Sequence, residues 1–245
     1  WWGDDTRRFS GTSFSYAQYK NNTGIIIGAN IYTNDGYKGG YVTGVDSSAA
    51  NFGTEIPVSE KWARFNFNTE QKSVKFPGLS YGINGNFMLL TKYESLIFAH
   101  DSIGYTPIDV PIGSEPVLFE QWMYNIDPHM KYINPNNNTK HSYKARFFKD
   151  DYQPFDEDND GYSTVLYQEY QFQKTIEMKH GHIVSTSGIT ANNIEGNYDD
   201  IYGEGGIANI KEMQNYSLYS QFDFKYKRLN LSFGGRLEKL YFQEE

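Results

Sequence analysis

Apolar and polar residues alternate one by one through much of this chain. From Tyr216 to Lys227, the residues Tyr216, Leu218, Phe222, Phe224 and Tyr226 fall on one side, with Ser220 among them. Ser217, Tyr219, Gln221, Asp223, Lys225 and Lys227 fall on the other. After the short turn Lys227-Arg228, Leu229, Leu231, Phe233, Gly235 and Leu237 alternate with Asn230, Ser232, Gly234, Arg236 and Glu238. A period of two belongs to a strand with one apolar face, so the two runs read as a hairpin. Ile25, Ile27, Ala29 and Ile31 follow the same rule, as do Phe65 and Phe67. So do Tyr81, Ile83, Gly85, Phe87 and Leu89, and then Tyr143, Ala145 and Phe147. About ten strands are predicted, most of them long enough for the ~9–11 residues that cross a bilayer with tilt.

The predicted connections take turns in length. Short ones fall near residues 20–24, 71–78, 135–140, 177–181 and 227–228. Longer ones fall near 36–60, 100–121 and 195–214, with an intermediate one near 153–161. Short turns at one end and long loops at the other are the pattern of a transmembrane β-barrel of the outer-membrane type. A soluble β-sandwich or a lipocalin-like barrel would share the alternation. Strand length and the placing of aromatic residues favour the membrane barrel. Trp62, Trp122, Tyr124, Tyr152, Tyr162 and Tyr216 are predicted on the apolar faces at the loop end, and Tyr19, Tyr132 and Tyr226 at the turn end, as an interfacial belt.

Composition narrows the function. Aromatic residues make up 17% of the 245, yet mean hydropathy is −0.66, which suits a sheet with one wet face. A net charge of −8 argues against a nucleic-acid partner. With no Cys there is no disulfide, thiolate–metal site or Cys nucleophile. No run approaches the ~18 apolar residues of a membrane-spanning helix, so a membrane position requires a closed barrel. Trp1–Asp5 shows neither an initiator Met nor a signal sequence, and Tyr241–Glu245 follows directly on a strand. The expectation is part of a longer polypeptide.

Few residues suggest chemistry. Asp156, Asp158 and Asp160, followed by Gly161, have the spacing of the first half of an EF-hand loop, which makes Ca²⁺ a candidate ligand. The twelfth loop position is Tyr167 rather than a bidentate Glu, so the alternative is a solvated acidic loop. His180 and His182 form the one close histidine pair, read as exposed residues at a turn. The acidic, aromatic stretch containing Tyr198, Asp199, Asp200 and Tyr202 could grip a sugar, peptide or chelate. Trp122 closes a Pro-, Ile- and Val-rich stretch that could cover a barrel mouth. No nucleophile elbow, Walker loop or zinc-protease motif occurs, so no enzyme is expected.

Several strands resemble those of TonB-dependent outer-membrane receptors of the Bacteroidetes type. They are NTGIIIGANIYTNDGYK (22–38), LSYGINGNFMLL (79–90), NIDPHMKY (125–132), HSYKARFF (141–148) and, most specifically, NYSLYSQFDFKYKRLNLSFGGRLE (215–238). The resemblance implies an all-β, antiparallel transmembrane barrel in the bacterial outer membrane, here about ten strands of a larger plugged barrel. It also implies a solute bound at extracellular loops, uptake driven through the TonB complex, and contact with outer-membrane lipid. No plug domain, TonB box or closing C-terminal strand is found, so residues 1–245 read as one segment of the barrel domain. The resemblance implies that Arg64, Asn66, Asn84, Asn86, Lys144, Arg146, Asp223, Lys225, Arg236 and Glu238 face the lumen, where they meet plug or water. The alternative function is a structural barrel that docks surface lipoproteins as a scaffold.

Overall fold

The computed structural model describes residues 8–38, 57–94, 117–154, 161–198 and 210–244. It contains ten strands: β1 (Phe9–Lys20), β2 (Thr23–Lys38), β3 (Pro57–Lys72), β4 (Leu79–Glu94), β5 (Val117–Asn134), β6 (Thr139–Pro154), β7 (Gly161–Met178), β8 (Gly181–Tyr198), β9 (Ile210–Tyr226) and β10 (Leu229–Glu244). They form one sheet in sequence order, each strand antiparallel to its neighbours. This is the all-β, antiparallel fold read from the alternation. The sheet is not closed, because β1 and β10 are both edges.

The short connections owe their geometry to particular residues. Asn21 and Asn22 between β1 and β2 both take positive φ, 50° and 64°. That is the two-residue turn whose twist matches its flanking strands, and Asn tolerates it better than most residues. Asn138 ends the β5–β6 turn at φ 52°, after Asn134 Oδ1 accepts from the Asn136 N–H at 3.0 Å. Lys227 opens the β9–β10 turn at φ 52°. The connections 39–56, 95–116, 155–160 and 199–209 lie outside the described residues and all join strands at the opposite end; all but 155–160 are longer than any of the five turns.

Residues opposite each other across a ladder share a face, so the register sorts the whole chain. One face carries Ile27 beside Phe67 and Phe67 beside Gly85, then Phe87 beside Tyr124 and Ile189 beside Leu218. The other carries Asn66 beside Asn86 and Asn86 beside Asn125, then Lys144 beside Glu169 and Glu238 beside Ser217. The register holds without slip until the loop ends of two pairs, at Asn34/Tyr37 and Gln243/Glu244. Pro128 sits inside β5, a central strand. The ladder to β4 continues through it, whereas pairing with β6 skips from Ile126 to His129. The missing N–H therefore falls on the β6 side.

Three aromatics differ from the belt expected on the apolar face. Trp62 pairs with Tyr32 and Leu90, Tyr152 with Gln121, and Tyr19 with Gly24, which places all three on the polar face. A one-position change of parity is enough to move a strand-end aromatic across the sheet. Phe9, Tyr32 and Trp62 form a cluster there: Tyr32 stacks on Trp62 at 5.4 Å and Phe9 meets Tyr32 edge-on at 5.4 Å.

The sheet is a single layer, and among the described residues no large side chain is fully buried. The two faces are nonetheless unequal. Ser217 on the polar face is 6% exposed, and its neighbour Leu218 on the apolar face is 55% exposed. Through β4, β5 and β7 most polar-face residues are half-buried, and much of the apolar face is open. Side chains shield one another on the inside of a curl, so the polar face is the concave one.

Glycine on the apolar face makes room for a ring. A Cβ on Gly85 would collide with the Phe67 ring, which lies across it from the neighbouring strand. Open space surrounds Gly235. Gly85→Val is expected to lower stability by about 1–3 kcal/mol through overpacking, and Gly235→Ala by less than about 0.5 kcal/mol. Denaturant midpoints of the two variants check this; equal shifts would remove the packing explanation.

Candidate functional site

The concave face is where polar chemistry gathers. All ten residues expected to face the lumen lie on it, as the register places Arg64, Asn66, Asn84, Asn86, Lys144, Arg146, Asp223, Lys225, Arg236 and Glu238 on one side. Most of them fall into local groups of hydrogen-bonded side chains.

The first cluster centres on Asp127 of β5. Arg146 of β6 stands opposite and donates twice, Nε to Oδ1 at 2.8 Å and Nη2 to Oδ2 at 2.7 Å. Asn125 Nδ2 adds a third donor to Oδ2 at 3.1 Å. The two-pronged geometry fits a planar guanidinium against a carboxylate. Beside it, Arg64 donates to Asn86 Oδ1. Asn68, Asn84, Asp127, His129, Lys144 and Arg146 are among the residues that line a groove of about 760 Å³ on this face.

The second cluster centres on Glu169 of β7. Tyr219 of β9 donates to Glu169 Oε1 at 2.7 Å, and Lys144 Nζ lies 3.6 Å from Oε2. Gln171 Nε2 donates to the Tyr219 oxygen at 3.1 Å. Tyr219 reaches β7 by crossing β8, which is possible because Gly188 lies beneath it; a Cβ there would strike the Tyr219 hydroxyl. Towards the edge, Ser232 and Gln221 donate to Asp223, Asn215 donates to Glu238, and Arg236 Nε lies 3.4 Å from Glu238 Oε2.

This arrangement can hold water or a polar surface by hydrogen bonds. Each carboxylate named here already has donors, which is the state of a structural network. Among the described residues no three His, Asp or Glu side chains converge to hold a metal ion. His182 pairs with Lys225 on the polar face, and the His180 ring meets Tyr226 edge-on at 6.2 Å.

The loop candidates fall elsewhere. Asp156, Asp158, Asp160, Asp199, Asp200 and Tyr202 lie outside the described residues. Tyr198 is the last residue of β8, opposite Gly161. Trp122 lies on the convex apolar face, edge-on to Phe87 at 6.0 Å. The sequence reading missed Asp127, Glu169 and Tyr219. For Asp127 and Glu169 the signal was parity with Arg146 and Lys144, usable once the strand pairing is known. Tyr219 already shared its side with Asp223 in the alternation, but its reach across Gly188 to Glu169 did not show in the sequence.

The sequence matches no model of a known protein family. None of the curated proteins matches it either.

The Arg146–Asp127 pair is open to water, with its side chains 55% and 19% exposed. A double-mutant cycle of Arg146→Ala and Asp127→Ala is expected to give a coupling of about 1 kcal/mol or less, shrinking as salt rises. A coupling several times larger and insensitive to salt would mean that the groove excludes water.

Proposed function

We propose that this chain forms part of the wall of a bacterial outer-membrane β-barrel, a receptor that binds a solute at its loop end and admits it through a polar lumen. The carrying observation is the pairing of a convex apolar face with a concave polar one. A soluble barrel needs the reverse, with its apolar residues inside. On β4 the convex positions run Tyr81, Ile83, Gly85, Phe87 and Leu89 before turning polar at Thr91. On β5 they run from Tyr132 back to Trp122 before Glu120. Each run covers about 9–11 residues, or roughly 30–36 Å of strand, which at a tilt near 45° gives about 21–25 Å of height, close to the ~25 Å of a barrel's apolar band.

The band starts at the short turns and stops well before the long connections. Above it the convex face becomes polar: Lys149 Nζ lies 3.1 Å from Asp151 Oδ2, and Tyr162 donates to Glu195 Oε1 at 2.9 Å. The loop-end portions of β3 to β9 therefore stand clear of the bilayer. They raise the loop connections into the medium, where a receptor meets its solute. TonB-driven uptake follows from the resemblance of the strands to that receptor class, and the energy comes from the inner-membrane proton gradient.

Two measurements test the two halves of this reading. The first is a charge scan of the convex face in lipid bilayers. Ile126→Arg, in mid-band on β5, is expected to cost about 2–4 kcal/mol, and Thr91→Arg, at the band's upper limit, about 0–1 kcal/mol. Equal costs, or a folded chain that stays in solution without detergent, would defeat the membrane barrel. The second compares a strain lacking the protein with its parent on a panel of single nutrients, with and without a protonophore. Loss of growth on one nutrient class, reproduced in the parent by removing the proton gradient, is the expected result. Unchanged growth throughout, with stable co-purification of surface lipoproteins, would favour a docking scaffold.

A further inference from the structure

Charge is distributed along the strand direction, and the membrane reading does not require that. The five short turns with their flanking residues (19–23, 71–79, 133–140, 174–182 and 225–230) hold nine Lys or Arg against one acid, Glu177. The four connections at the other end (39–56, 95–116, 155–160 and 199–209) hold twelve Asp or Glu and no Lys or Arg. Lys20, Lys72, Lys75, Lys179, Lys227 and Arg228 are all exposed, and among the described residues none of the six makes an ion pair.

Lys20 and the turn residues Lys75, Lys179, Lys227 and Arg228 sit directly beneath the apolar band, whereas Lys72, opposite Ser80 with its Nζ 5.9 Å over the Tyr19 ring, stands on the polar face. Lys20 continues the convex face of β1 below Phe14 and Tyr16. Lys227 follows Tyr226, the lowest convex residue of β9, and its Nζ stands 5.5 Å over that ring. In the β3–β4 turn, Val74 is 79% and Phe76 56% exposed, with Lys75 Nζ 5.6 Å over the Phe76 ring. Apolar and aromatic surface topped by unpaired ammonium groups matches the boundary between acyl chains and phosphate.

We propose that the turn-side rim is a binding surface for the headgroups of anionic phospholipid in the leaflet that borders the turns. This rests on the membrane reading given above. The occupant is lipid rather than an acidic protein because the cations adjoin the band itself, where the lateral neighbour is an acyl chain. A basic residue at such a surface attracts an anionic headgroup, and the attraction weakens with salt.

The test uses the full native polypeptide, reconstituted in phosphatidylcholine bilayers with spin-labelled phosphatidylglycerol or spin-labelled phosphatidylcholine as probe. Electron paramagnetic resonance counts the labelled lipids held at the protein surface. The expected result is a preference for phosphatidylglycerol of roughly two- to fivefold that is lost in high salt. The combined variant Lys20→Gln, Lys179→Gln, Lys227→Gln and Arg228→Gln should lose it too. Lys61→Gln with Lys239→Gln, above the band, should keep it. Equal affinity for the two lipids, or a preference untouched by the four turn substitutions, overturns the proposal while leaving the barrel in place. A chain that immobilises neither lipid overturns the membrane reading and this proposal together. The salt series needs no variant, so a misfolded mutant does not shield the idea.

Discussion

In an antiparallel ladder, two residues that face each other across a strand pair project to the same side. Here that parity survives nine successive pairings. The backbone hydrogen bonds set it, and they are obligatory, since an unpaired amide in an apolar medium is costly. A one-residue slip anywhere would send an entire strand's apolar set to the polar side. The register breaks occur only towards the loop ends, beyond the run of apolar positions on the convex face.

The concave network follows from that parity. Lys144 and Arg146 each meet a carboxylate because Glu169 and Asp127 stand opposite them at matching positions. Crowding on the inside of the curl brings side chains two strands apart within reach, and Gly188 leaves the gap through which Tyr219 passes. The pairs are half-open to water, so they contribute little to stability individually. Their effect is to keep a charged concave surface satisfied while leaving it open to water.

Much of the fold was legible because each strand carries its own period of two. The β9–β10 hairpin could be read residue by residue, from Tyr216 through the Lys227-Arg228 turn to Glu238. What resisted were the parity of strand-end aromatics and features that depend on two strands at once. Trp62 and Tyr152 resemble belt residues by their position at strand ends, yet they lie an odd number of positions from Phe65 and Phe147 on their own strands and so face the polar side, while the face of Tyr19 is set by Gly24 across the ladder. Asp127 escaped because its partner Arg146 lies on the next strand, although NIDPHMKY itself reads as a strand. Trp122 reads as a loop residue because of the Pro-rich stretch before it, while the ladder carries β5 five residues further back to Val117.

The edges carry the argument one step further. β1 and β10 have 12 and 16 residues, and roughly half the backbone groups of each point away from the sheet. In hydrocarbon such groups together would cost on the order of tens of kcal/mol. Soluble sheets guard an edge with proline, inward charges or a covering loop. β10 has no proline, and it presents Leu229, Leu231, Phe233 and Leu237 on its convex side, with Leu237 75% exposed. The same parity therefore governs whatever completes the wall. A partner strand at either edge must keep apolar residues outside and polar residues inside, in register with Phe14 and Tyr16 on one flank and Phe233 and Leu237 on the other. If β1 and β10 pair with each other, that condition applies to them directly. If further strands intervene, it fixes the alternation that those strands must carry.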